Sequence, residues 1–116
     1  MQLGAFYPFA RNHNHEASIP QEPYSFGDVH AETSRISLKT RYSLLKQMYT
    51  WMVRKGGTGS FFKPIFFEFH EEVIAYNSLV VESQFLIGKS LMVTPVVEEN
   101  SDDRMVYFPG AGVKWY

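Results

Sequence analysis

Two histidines and a carboxylate stand close together at His13, His15 and Glu16, side chains that could hold a metal ion if the backbone turned all three inward. In an extended segment His13 and His15 would share a face, but the spacing is no recognised metal motif and no third ligand is fixed. A polar loop without a metal is the reading taken for them. Acid-base hydrolysis needs two carboxylates held opposite a bond. The paired carboxylates of this chain, Glu71-Glu72, Glu98-Glu99 and Asp102-Asp103, are neighbours in sequence. Neighbours in a strand point to opposite faces, and these pairs stand in polar turns, so a solvated surface is expected of each. A nucleophilic serine lacks its Gly-x-Ser-x-Gly elbow, Gly57-Thr58-Gly59-Ser60 reads as a helix-to-strand connection, and no glycine-rich phosphate loop occurs. The aromatic residues could stack on sugar rings, but Tyr42, Tyr49, Trp51, Phe66, Phe67 and Phe69 fall on periodic segments where core packing accounts for them.

The chain that must position these groups has 116 residues, 45% of them hydrophobic and 16% aromatic, enough for the core of one ordinary domain. Its net charge of -1 comes from mixed signs, so it carries no electrostatic footprint for nucleic acid or an anionic membrane. Cysteine is absent, which excludes disulfides, thiolate zinc sites and cysteine nucleophiles without identifying a compartment. Met1-Gln2-Leu3-Gly4-Ala5-Phe6-Tyr7-Pro8 lacks the basic start, apolar run and small-residue cleavage site of a secretory signal. The longest apolar runs fall far short of the roughly 20 residues of a membrane helix.

Gln2 to Tyr7 reads as the last turn of a helix, because Pro8 lacks an amide hydrogen and biases the residue before it away from helical angles. Phe9 to Asn12 is then a short extended piece, and a polar loop punctuated by Pro20 and Pro23 runs from His13 to Gly27. A helix is predicted from Asp28 to Lys55, with Ile36, Leu38, Tyr42, Leu45, Met48, Tyr49 and Met52 on one face. Asp28 is its expected N-cap, Glu32 suits its first turn, and Arg54-Lys55 before Gly56-Gly57 gives a basic last turn with a glycine stop. Strands are predicted at Phe61 to Phe69, Gln84 to Ile87, Leu91 to Val97 and Met105 to Phe108. One long helix ahead of several short strands argues for two packing units with a seam near Lys63.

Four stretches taken together resemble glycoside hydrolase family 31. They are Gln2 to Phe9 with Arg11-Asn12-His13-Asn14; Arg41-Tyr42-Ser43-Leu44-Leu45 with Tyr49-Thr50; Lys63 to Phe69; and Gln84-Phe85-Leu86 with Gly88 and Ser90 to Val96. Tyr107-Phe108-Pro109 and Trp115-Tyr116 extend the resemblance to the last residue, and Pro20 to Phe26 leans toward the lysosomal acid α-glucosidase and maltase branch. The resemblance implies an α/β fold, the last unit of a (β/α)8 TIM barrel in residues 1–63 followed by the start of a proximal C-terminal β-sandwich in residues 64–116. It puts Arg11-Asn12-His13 at the end of the eighth barrel strand, and His13 at the position that in the family hydrogen-bonds the non-reducing-end glucose.

The family hydrolyses glycosidic bonds with retention, through an aspartate nucleophile and an aspartate acid-base carried by the fourth and sixth barrel strands. The resemblance places both upstream of Met1, so no catalytic residue, cofactor or metal is assigned within this chain, which alone is expected to be inactive. It implies an α-glucoside oligosaccharide as substrate of the complete enzyme, no nucleic-acid partner, no membrane span, and dependence on the N-terminal barrel segment. The branch suggests a lysosomal or secreted setting. Lys63 departs from the family's usual arginine, Lys46 from a frequent proline and Ile87 from a common tryptophan; lysine at 63 keeps the charge but loses the planar fork. The alternative reading is a non-catalytic truncated relative, acting as a binding module or left as a remnant.

Overall fold

The computed structural model describes residues 1–54 and 56–116. The chain folds as two compact units, Met1–Thr50 and Trp51–Tyr116.

The first unit opens with a single 3-10 turn, Leu3–Phe6, which ends as expected where Tyr7 turns extended (φ -77°, ψ 145°) ahead of Pro8. Helix α1 spans Asp28–Arg54, a length of roughly 40 Å at the usual rise, and its final residues lie in the second unit. Asp28 is not the N-cap. The first turn closes from Ala31 N–H to the Gly27 carbonyl (3.0 Å), so Gly27, at φ +88°, takes the capping place and Asp28 is the first helical residue. Its carboxylate still suits the positive end of the helix dipole. Glu32 pairs with Arg35 one turn on, which holds its carboxyl below the usual range. At the other end Gly57 N–H reaches the Met52 carbonyl and Gly56 N–H that of Val53, both glycines having positive φ, a Schellman-type stop. Lys55, the other half of the expected basic turn, lies outside the described residues.

The buried stripe of α1 differs from the expected one. Ser34, Ser37 and Met48 are buried, and Ala31, Arg41 and Leu44 are half-buried between them, at steps of three and four. Met48 is common to both sets, but Tyr42 and Tyr49 are 73% and 69% exposed and Ile36, Leu38, Leu45 and Met52 are exposed too. Ser37 satisfies its hydroxyl on the Thr33 carbonyl (2.8 Å), which removes the usual cost of burying it.

The second unit is built on a three-stranded antiparallel sheet of β1 (Phe62–Pro64), β2 (Phe85–Ile87) and β3 (Leu91–Val93), in that order. Lys63 is opposite Leu86, and Leu86 opposite Met92. The predicted strand from Phe61 to Phe69 stops at Pro64; Ile65–Phe67 forms a 3-10 turn in which the Ile65 carbonyl accepts from Glu68 and Phe69 N–H. Proline supplies no donor for a continuing ladder, and the turn drops Ile65 fully into the core. Leu91 to Val97 is likewise shortened, ending before Pro95. Met105 to Phe108 is not a strand at all. Ile65, Ala75, Val80 and Leu86 form the core cluster, flanked by Phe66, Phe69, Met92, Tyr107 and Trp115, while Asn77 caps the short helix α2 (Ser78–Val81) through Leu79 N–H (2.9 Å).

Ile87, where the family often has tryptophan, is fully buried, and Gly88 follows it at φ +64° as the first residue of the β2–β3 turn. A Cβ on Gly88 would lie 2.5 Å from the Trp51 ring, so both the backbone angle and the indole exclude a side chain there. Lys63 is buried and pairs with Glu68 across the Pro64 turn, so the single ammonium serves this contact.

Glu72 departs from the solvated role expected of it. Half-buried, it accepts hydrogen bonds from the Tyr107 hydroxyl and from Gly110 N–H (2.7 Å), tying the C-terminal segment to the turn before Val73. That bond to Glu72, with smaller contributions from burial and from the carboxylate's charge, raises the Tyr107 pKa above 10.0. A raised pKa means that the folded state holds the phenol proton more tightly than the unfolded state does. The contribution is therefore full below pH 10.0 and is lost as pH climbs through the higher folded value. Stability of this unit is expected to fall over that alkaline window, and Tyr107→Phe to flatten the fall, as read by denaturant midpoints across the pH series. Parallel slopes in the two proteins would contradict it.

Candidate functional site

His13 lies in the first unit, in a stretch without regular secondary structure between the bend at residues 7–9 and the turn at residues 16 and 17, where an extended piece and a strand end were expected. Its imidazole is exposed and has no hydrogen-bond partner among the described residues, while its carbonyl accepts from the Gln21 side chain at 2.7 Å. On either side, Asn12 Nδ2 donates to the Gln21 carbonyl (3.1 Å) and Asn14 Nδ2 to the Ile19 carbonyl (2.8 Å). His15 is engaged within the loop: its N–H donates to Asn14 Oδ1, its Nδ1 accepts from Ala17 N–H, and its carbonyl accepts from Ser18 N–H. Of His13, His15 and Glu16, only His15 uses its side chain in a hydrogen bond within the loop. Among the described residues no group of three or more His, Asp or Glu is arranged to hold a metal ion.

The stretch leading to His13 is anchored from α1. The Arg41 guanidinium donates to the carbonyls of Gly4 (3.2 Å), Ala5 (3.2 Å) and Tyr7 (2.5 Å) through Nη1, and to that of Pro8 (3.2 Å) through Nη2. The Gly4 carbonyl also accepts from Tyr7 N–H (3.2 Å), and the others lie at and just beyond the end of the 3-10 turn, where a cationic fork is well suited to collecting them. Beside it a cavity of about 170 Å³ is lined by Ala5, Ala10, Arg11, Asn12, Leu38 and Arg41 among others.

Chemically, a free imidazole can donate or accept one hydrogen bond to a hydroxyl and can orient a polar ligand. The carboxylates that could supply acid-base chemistry are occupied or solvated: Glu72 holds Tyr107 and Gly110, Glu71 faces His70 (3.0 Å) at the surface, and Glu98, Glu99, Asp102 and Asp103 are exposed. Sequence reasoning gave His13 a role in the site, whereas Gln21 and Arg41 entered only as members of the stretches that carry the family resemblance. Spacing gave no sign of either. Arg41 was legible as part of a family stretch but not as an anchor for distant carbonyls, and the nine-residue separation of Asn12 from Gln21 corresponds to no periodic element.

The family 31 glycosyl hydrolase TIM-barrel domain matches residues 1–51, and the family 31 C-terminal domain matches residues 58–116. Lysosomal acid alpha-glucosidase of Tetrahymena pyriformis is 42% identical over 97% of the chain, and lysosomal alpha-glucosidase of Mus musculus 41% identical over 99%. The chain spans 13% and 12% of the length of these two relatives. Among solved structures, a family 31 dextranase of Flavobacterium johnsoniae complexed with glucose superposes with a TM-score of 0.74 at 33% identity, over 86% of this chain and 12% of that one. Barrel-domain likeness at the helical end, C-terminal-domain likeness over the antiparallel sheet and sequence identity along nearly the whole length agree: the chain belongs to glycoside hydrolase family 31.

Proposed function

We propose that this chain is part of a retaining α-glucosidase that releases terminal α-linked glucose from oligosaccharides, with residues 1–63 as the end of its catalytic barrel and residues 64–116 as the beginning of its proximal β-sandwich. The observation that carries this reading is the identity of about 40% to alpha-glucosidases along 97–100% of the chain. In a retaining reaction one carboxylate attacks the anomeric carbon to form a glycosyl-enzyme, while a second protonates the departing oxygen and then activates water. Those two groups come from parts of the polypeptide other than residues 1–116. His13 contributes a hydrogen bond to a hydroxyl of the terminal glucose, which orients the sugar without entering the proton transfers. Its exposed, unpartnered imidazole supports that role. The test is kcat/KM of the complete enzyme with His13→Ala: a loss on a maltose-like glucoside is expected, and an unchanged value removes His13 from the sugar site.

A further inference from the structure

The three residues Asn12, His13 and Asn14 are joined to residues 19–21 by side-chain amides. Asn12 Nδ2 and Asn14 Nδ2 reach over to the carbonyls of Gln21 and Ile19, and Gln21 Nε2 reaches back to the carbonyl of His13. Residues 10–15 carry no strand assignment, and these amides are the side-chain contacts that tie their main chain to residues 19–21. The two limbs are cross-tied: Asn12 bonds the Gln21 carbonyl, and the Gln21 side chain bonds the carbonyl of His13, one residue on from Asn12. His15 spends its ring nitrogen on Ala17 N–H, whereas the imidazole of His13 has no partner among the described residues. A fixed main chain bearing a free polar side chain is what a substrate contact requires, since its orientation is set before the ligand arrives.

We infer that Gln21, together with Asn12, is a positioning residue that acts on the bound glucoside through His13; the inference rests on the reading of His13 as a sugar contact. Gln21 touches no substrate in this scheme. It holds the His13 carbonyl, and with it the origin of the imidazole, at the height the sugar hydroxyl requires. One such neutral hydrogen bond corresponds to about a fivefold effect on kcat/KM when its only consequence is misplacement of the ligand contact.

The experiment is a double-mutant cycle in the complete enzyme, with maltose as substrate and the melting temperature of every variant recorded. Gln21→Ala is expected to lower kcat/KM about fivefold in the parent and by less than about 1.5-fold in the His13→Ala background. Gln21→Glu and Asn12→Asp keep side-chain shape but remove the amide donors, and they serve in the same cycle if Gln21→Ala does not fold. Equal losses in both backgrounds, or no loss in the parent, overturn the positioning role while leaving His13 as a sugar contact. An unchanged kcat/KM for His13→Ala itself overturns both readings. A merely structural role would lower the melting temperature and reduce activity equally whether or not His13 is present.

Discussion

The His13→Ala variant of the complete enzyme is expected to hydrolyse a maltose-like glucoside with kcat/KM lower by about 10- to 100-fold. The lower figure corresponds to loss of a neutral hydrogen bond at the strong end of its usual range, and the upper to a bond that strengthens as charge develops on the sugar, about 1.4 to 2.8 kcal/mol in all. His13 suits such a bond because its ring has no competing partner among the described residues while its carbonyl is held by Gln21. His13→Asn retains a donor, so a smaller loss is expected of it. Chemistry itself survives in both variants, because no proton transfer passes through His13; residual activity with retained stereochemistry is part of the expectation. Complete abolition by His13→Ala with an unaltered fold would mean that the side chain does more than orient the sugar.

Gln84→Leu is the substitution expected to cost the second unit most stability, about 3 to 4 kcal/mol. Gln84 is 2% exposed, and its amide makes a two-way bridge to Tyr107: Nε2 donates to the Tyr107 carbonyl and Oε1 accepts from Tyr107 N–H, both at 2.8 Å. A leucine fills a similar volume but strips both main-chain groups of their partners, each at about 1 to 3 kcal/mol. In a segment that pairs with no strand among the described residues, a side chain thus supplies Tyr107 with the paired hydrogen bonds that a strand would give. Tyr107 also sits against the core cluster and bonds Glu72, so loosening it disturbs two further contacts. Hydrogen exchange at the Tyr107 amide reports this locally. Its protection is expected to collapse in Gln84→Leu, and retained protection would show that the segment is held by other means.

Family membership was legible because the motifs that carry it, among them Lys63 to Phe69 and Ser90 to Val96, are contiguous runs whose residue types survive without knowledge of their contacts. The ends of α1 were legible for a similar reason. Asp28 and the pair Gly56-Gly57 act through local backbone angles and nearby orphan groups, although glycine rather than aspartate turned out to take the N-terminal cap. Strand lengths were overestimated where Pro64 and Pro95 interrupt apolar runs, because apolar periodicity says nothing about whether a backbone donor is available. What remained illegible depends on partners remote in sequence. Glu72 meets residues 107 and 110, Gln84 meets 107, and Arg41 collects carbonyls more than thirty positions away, none of which has a periodic signature. The same holds for the amides around His13, whose own identity was readable only through resemblance.

The most direct measurement is the anomer of glucose first released from p-nitrophenyl α-glucoside, whose leaving group is not itself a sugar, by the native polypeptide that contains residues 1–116, purified with an antibody raised against this segment and followed by proton NMR before mutarotation. The account predicts α-glucose as the initial product, the outcome of two successive displacements at the anomeric carbon. Release of β-glucose would contradict the retaining mechanism, and a purified polypeptide that releases no glucose would contradict the assignment of this chain to a working α-glucosidase.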